Sequence, residues 1–157
     1  MSEIKAYRLV KKKNSSRAFN GVCAGRFGGR WHSKGRDCLY FADSPALSVL
    51  EMFVHLGHDE IIQAYELFEL TLPSKMVLRA NPESLPESWR SEPASQETAA
   101  FGDAWIDTGS SLALAVPSVI VPQSWNYLIN IQHSEFVKAV ETAHSIDFTF
   151  NGRLAKK

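Results

Sequence analysis

Between Gly25 and Glu51 the chain reads GRFGGRWHSKGRDCLYFADSPALSVLE, a segment with side chains suited to a phosphate-bearing ligand. Arg26, Arg30 and Arg36 carry planar guanidinium forks that match phosphate oxygens bidentately. Arg30 stands between Gly29, which frees the backbone, and Trp31, whose rigid ring could fix the direction of its neighbour. Tyr40 adds a second flat surface ten residues later. Glu51 is the unusual member of the set, because its helical neighbours Ala46, Leu47, Val49, Leu50, Met52, Phe53, Val54 and Leu56 are apolar. A helix of that composition is expected to be buried on most sides, and a carboxylate buried without a partner is costly. Arginines, aromatics and a poorly solvated carboxylate suit a ligand that combines phosphates, a flat ring and a sugar. A plainer reading stays open, with Glu51 in an ordinary ion pair to a loop arginine and Trp31 and Tyr40 as core aromatics.

These side chains need elements to hold them. Ile4 to Val10 reads as a strand, and Lys11 to Gly35 as a long glycine-bearing loop anchored by Phe19, Phe27 and Trp31. Cys38 to Phe41 is a short strand. Ser44-Pro45 then supplies an N-cap and an N1 proline for a helix that should end near Gly57. Ile61 to Leu72 and Met76 to Ala80 read as strands, the first stopped by Pro73. Turns and a short helical piece around Leu85 to Trp89 follow. Ala94 to Thr108 reads as a helix closed by Gly109, and Ser111 to Val116 as a strand running into Pro117-Ser118. Val119 to Val121 and Trp125 to Ile131 look extended, Ser134 to Ala143 helical, and Ile146 to Phe150 extended. Strands and helices interleave without strict alternation, which favours α+β over a doubly wound sheet.

The 157 residues fit one domain, 1–157. Lysine plus arginine and aspartate plus glutamate number 17 each, so the summed field argues for neither nucleic acid nor an acidic membrane as the partner. The run Lys11 to Lys13 reads as a solvated loop. Cys23 and Cys38 make no disulfide framework, the N-terminus lacks a signal-peptide core, and no apolar run is long enough to span a bilayer, so a cytoplasmic location without membrane contact is expected. P-loop and dinucleotide-binding glycine motifs are absent, as is the G-x-S-x-G elbow of many hydrolases. Glu51, His55 and His58 share a helical face, but the spacing is not H-E-x-x-H and His58 follows Gly57, so no metal is expected.

Four separated blocks, GGRWHSKG, LYFADSPALSVLE, GDAWIDTGSSLALAVPSVIVPQSWNYLIN and FTFNGRL, resemble the RES domain across nearly the whole chain. The resemblance implies an α+β fold like that of ADP-ribosyltransferases, with a mixed sheet and flanking helices. It implies a type II toxin that cleaves the nicotinamide–ribose bond of NAD by hydrolysis or phosphorolysis, with NAD as substrate and no prosthetic group. The alternatives it leaves are ADP-ribosylation of a protein target, and a catalytically weak partner of an Xre helix-turn-helix antitoxin. The family's arginine falls on Arg30, its tyrosine on Tyr40, its glutamate on Glu51 and its serine on Ser118, with Arg8 and Asn126 at two further matching positions. By that mapping Arg30 holds a phosphate, Tyr40 packs on nicotinamide or ribose, Glu51 serves the ribose, and Ser118 hydrogen-bonds at the nicotinamide side. The implied partners are NAD and an Xre antitoxin, with DNA reached only through the antitoxin and a homodimer within the complex. His32 stands where the family commonly has Asn, Gln132 where it commonly has Pro, and Cys23 where a small or acidic residue is usual.

Overall fold

A computed structural model of the protein describes residues 2–20, 27–56 and 64–155. Seven strands form one sheet: β1 (Glu3–Lys11), β2 (Cys38–Ala42), β3 (Tyr65–Pro73), β4 (Val77–Arg79), β5 (Ala113–Pro117), β6 (Trp125–Asn130) and β7 (His144–Ile146). Their spatial order is β4-β5-β6-β2-β1-β3-β7. All neighbours are antiparallel except β4 and β5, whose parallel pairing requires a crossover. Among the described residues three α-helices accompany the sheet: α1 (Pro45–Phe53), α2 (Gln96–Thr108), which makes that crossover, and α3 (Phe136–Val140).

Pairing strength is uneven along the sheet. β1 and β3 are matched over the full length from Glu3↔Pro73 to Lys11↔Tyr65, and β2 and β6 from Cys38↔Asn130 to Ala42↔Asn126. β1 and β2 meet only at Tyr7↔Ala42. The sheet is thus two well-laddered halves that part company in the middle.

Alternation along the strands sorts the core onto two faces. On one, Leu39, Phe41, Leu70, Leu72, Ala113, Ala115 and Ile129 pack with Phe136 and Ala139 of the α3 region. On the other, Cys38, Leu114, Val116 and Leu128 pack with Trp31 and with Trp105 of α2. β5 is buried on both faces because it lies between β4 and β6 and is covered on each side. A third cluster joins Leu9, Tyr65 and Leu67 to Val49 and Met52 of α1 and to Phe148 and Phe150 near the C-terminus.

Local signals set the helix ends. Ser44 caps α1 by accepting from the Leu47 amide, with Pro45 in the first turn. Ser95 caps α2 by accepting from Thr98, and Gly109 closes it in the left-handed region at φ 57°. α1 nevertheless stops at Phe53, short of the expected end, and only Leu47 and Ser48 of it are buried. Leu50 is 41% and Val54 58% exposed, so its all-round apolar composition does not reflect burial on most sides. Val119 to Val121 is a bend, because Ser118 Oγ accepts from the Ile120 and Val121 amides and draws the backbone into a turn. The last strand is His144–Ile146, and Phe148 and Phe150 serve through ring contacts, Phe150 meeting Tyr65 edge-on at 4.9 Å. The short helical piece falls at Pro82–Ser84 as a 3-10 turn capped by Asn81, and only Phe136–Val140 of the expected 134–143 helix is α-helical. The start of the Ile61 strand, Gly57, His58, Gly21, Gly25, Arg26 and Cys23 lie outside the described residues. No helix among the described residues is long and apolar enough to cross a membrane.

Candidate active site

Where β1 and β2 diverge, a cleft of about 450 Å³ opens. One wall is α1, whose Ser48, Glu51 and Met52 recur at intervals of three and four and so share a helical stripe facing the cleft, with His55 joining them from the turn just past the helix. Tyr7, Arg8 and Leu9 come from β1, Tyr40 to Ala42 from β2, and the turn Gly28 to His32 forms the opposite wall. Asn126 and Val119 complete it.

Glu51 is held by two neutral donors. Its Oε1 accepts from Ser118 Oγ at 2.8 Å and from Asn126 Nδ2 at 2.7 Å. Hydrogen bonds to an ionised acceptor are the strong kind, and two on one oxygen fix the carboxylate's direction. Oε2 has no hydrogen-bond partner among the described residues, which leaves it for a ligand. Two of the expected arginine partners pair elsewhere, Arg36 with Asp107 on α2 and Arg30 with Glu92, and Arg26 lies outside the described residues.

Ser118 is 0% exposed and stands behind Glu51, outside the cleft lining. Its single proton goes to Glu51 while its oxygen accepts the Ile120 and Val121 amides. Arg30 lines the cleft, yet its Nη1 donates to the carbonyls of Trp89 at 3.2 Å and Ser91 at 2.8 Å. With Nη2 also engaged by Glu92, Nε–H and one Nη2 proton of the five are left over from these three bonds. Arg8 Nη1 donates to the Tyr40 carbonyl at 3.0 Å, bridging the gap between β1 and β2.

Tyr40 projects toward the Gly28 to His32 turn. Burial, reinforced by the neighbouring Cys38, holds its phenol well above the usual range, so it is a neutral wall of the cleft. The turn itself is clamped by α2: Ser33 N donates to Asp103 Oδ1 at 2.9 Å, and Gly102 abuts the Trp31 carbonyl.

A family model for the RES domain matches residues 5–151. The chain belongs to the RES domain family. Curated relatives of this RES domain agree in sequence over almost their full lengths. It is 34% identical over 148 residues to "Toxin Res" of Yersinia enterocolitica, covering 94% of this chain and 97% of that one. It is 33% identical over 141 residues to "Prs ADP-ribosylating toxin" of Sphingobium sp. strain YBL2, covering 88% of this chain and 87% of that protein. Among solved structures, a chain of the Mycobacterium tuberculosis MbcT–MbcA toxin–antitoxin complex superposes with a TM-score of 0.74 at 17% identity, covering 99% of this chain and 88% of that one, which establishes the shared fold.

The RES domain's cleft thus combines a fixed carboxylate, an aromatic wall and two guanidinium groups, a set able to bind a charged nucleotide and stabilise positive charge. Tyr7, Ser48, Met52 and His55 also line it, although the sequence marked none of the first three and His55 only as part of a metal cluster. The i, i+3, i+4, i+7 spacing around Glu51 could have found Ser48, Met52 and His55. Among the described residues no three or more His, Cys, Asp or Glu side chains gather as a metal site.

Two tests arise directly from this geometry. Ser118→Ala should lower activity about tenfold and also cost stability, because Glu51 loses one charge-assisted bond and the Ile120 and Val121 amides lose their acceptor. Turnover and thermal melting of the variant check both. Burial pushes the Cys38 thiol up to about 12. At about pH 8 only about one part in 10⁴ is then thiolate, the species that reacts. In a Cys23→Ser background, iodoacetamide should therefore label Cys38 only after unfolding in urea, as read by mass spectrometry.

Proposed function

We propose that this RES domain cleaves the nicotinamide–ribose bond of NAD and acts as the toxin of a toxin–antitoxin pair. The observation that carries the reading is Glu51, anchored through Oε1 by Ser118 and Asn126 and open at Oε2, in a cleft also walled by Tyr40 and bordered by Arg8 and Arg30. When the glycosidic bond breaks, its electron pair passes to the pyridinium nitrogen and neutral nicotinamide departs. The ribose carbon is left cationic, an oxocarbenium-like state of the kind met in glycoside hydrolysis. A preorganised carboxylate stabilises such charge without having to reorient during the reaction. Glu51 is therefore the catalytic residue, its free oxygen serving the ribose hydroxyls, while water adds to the ribose carbon and loses a proton, or phosphate takes the place of water.

Arg8 and the remaining donors of Arg30 face the pyrophosphate, and Tyr40 packs against the nicotinamide or ribose. Ser118 and Asn126 act through Glu51. NAD is the substrate, and no prosthetic group enters the scheme. The structural neighbour comes from a toxin–antitoxin complex, which supports a protein antitoxin as partner. We assign that partner to the Xre helix-turn-helix type, with DNA contacted only through it, a homodimer formed within the complex, and the cytoplasm as the compartment. The apolar stripe of Leu50, Phe53 and Val54 beside the cleft offers it a surface.

Purified protein incubated with NAD should release nicotinamide, and an antitoxin added in excess should suppress the release. No release by the wild-type protein, with phosphate present, would overturn the reading and leave ADP-ribosylation of a protein or a binding role. A second reading, ADP-ribosylation of a protein, is favoured by the Sphingobium relative's name. It predicts that label from adenine-labelled NAD follows a protein band, whereas hydrolysis or phosphorolysis leaves all label in small molecules.

A further inference from the structure

The wall that carries Tyr40 also holds a buried histidine to which the cleavage scheme gives no part. His32 is 1% exposed, and its Nδ1 lies 2.6 Å from Tyr40 Oη. The two rings sit 5.4 Å apart at a tilt of 43°. His32 reaches this position because Gly28, at φ 74°, starts a tight turn in which the Gly29 amide donates to the His32 carbonyl at 3.0 Å, folding the imidazole back over the turn. Gly29 is needed there for a second reason: a Cβ would lie 2.8 Å from Tyr40 Oη and 2.9 Å from His32 Cε1. The phenol end of Tyr40 is thus enclosed between the Gly29 backbone and the His32 ring.

The hydrogen-bond inventory gives this contact a direction. The Trp31 amide can only donate, and it donates to Tyr40 Oη at 3.2 Å. A phenol has one proton to give and must place it when buried. If His32 Nδ1 were also a donor, that proton would fall to the Cys38 thiol, a neighbour with weak acceptor capacity. The imidazole nitrogen is the better acceptor, and 2.6 Å suits an O–H donor.

We propose that Tyr40 donates its proton to Nδ1 of a neutral His32 protonated on Nε2, and that His32 is thereby a positioning residue that fixes the Tyr40 ring against the substrate cleft. The proposal rests on the reading of that cleft as the NAD site. The Tyr40 backbone is pinned separately, by β2–β6 pairing and by Arg8, so His32 governs the ring's outer end. It follows that the group at position 32 need only present an acceptor where Nδ1 stands. Asparagine can do this, since its Oδ1 reaches the same place, whereas glutamine places its amide one bond farther out.

The test uses full-length protein and three substitutions. His32→Asn should keep kcat/KM for nicotinamide release within about threefold of wild type, while His32→Gln should lose about tenfold, the worth of one ordinary hydrogen bond. In a Tyr40→Phe background the same His32→Gln change should cost nothing further, because the bond it breaks is already gone. Equal losses for Asn and Gln, or a Gln cost that persists without the phenol, would overturn the proposal. Independently of catalysis, ¹⁵N-histidine spectra should show a pyridine-type Nδ1 for His32, identified by its disappearance in His32→Asn and shifted by Tyr40→Phe. A pyrrole-type Nδ1 would also overturn it. If the wild-type protein releases no nicotinamide, the NAD reading fails and the spectra alone decide the pairing.

Discussion

Glu51→Gln is expected to reduce nicotinamide release by about 10³-fold while leaving the protein folded, a loss of about 4 kcal/mol of transition-state stabilisation. Glutamine has the same shape, and its amide oxygen can take the place of Oε1 and still accept from Ser118 and Asn126. What disappears is the charge opposite the developing cation, at a point where the protein has already aimed it. The effect should fall mainly on kcat, since ground-state contacts to NAD through Arg8, Arg30 and Tyr40 remain in place. Single-turnover nicotinamide release measured by chromatography, with a thermal melt alongside, checks the expectation. Retention of more than a tenth of wild-type turnover would mean that Glu51 is not the group meeting the ribose charge.

Gly102→Ala should be the most damaging small substitution in the molecule. A Cβ at that position would lie 1.6 Å from the Trp31 carbonyl oxygen and 2.7 Å from its carbon. Both are backbone atoms, so no rotamer change relieves the overlap, and either α2 or the turn must shift by more than an ångström. Overpacking of a well-packed core costs about 1–3 kcal/mol, and a rigid backbone collision belongs at or beyond the upper end. Against a total stability of about 5–15 kcal/mol, that should lower the melting temperature by about 10 °C. Activity should fall as well, because the displaced turn carries Arg30, Trp31 and His32. Gly35→Ala is the control: its φ of 93° strains alanine, but nothing lies within 4 Å of the added carbon, so it should cost less and spare the cleft.

Those two positions also mark what could be read from the chain. Glu51 stood out because a carboxylate among eight apolar neighbours is locally anomalous, and the start of α1 and the end of α2 were legible because Ser44, Pro45 and Gly109 act within one turn. The degree of burial of α1 was not, since apolar composition cannot tell a covered helix face from one left open. The partners of Glu51 lie 67 and 75 residues away in sequence, and only the fold of β5 and β6 brings them there. Resemblance to a family supplied the names Ser118 and Asn126, while the geometry added that both hydrogen-bond to Glu51. Arg30 was legible as a cleft residue, but its grip on the Trp89 to Glu92 segment was not, because backbone carbonyls leave no trace in residue type. Gly102 passed unnoticed as a mere weak point of a helix, although a glycine tolerated at α2's centre is the one available sign that another chain segment presses there.

The lone Tyr7↔Ala42 pairing between β1 and β2 has a mechanical meaning. Each half of the sheet is stitched firmly within itself, by β1 with β3 and by β2 with β6 and β5. The fault line between them runs along the candidate cleft, so the two sides of the cleft belong to separately laddered halves of the sheet, which Arg8 bridges by donating to the Tyr40 carbonyl. A molecule gripping Arg8 on one half and Tyr40 or Asn126 on the other would act as a rivet, and the energy of closing the enzyme would come from its own substrate.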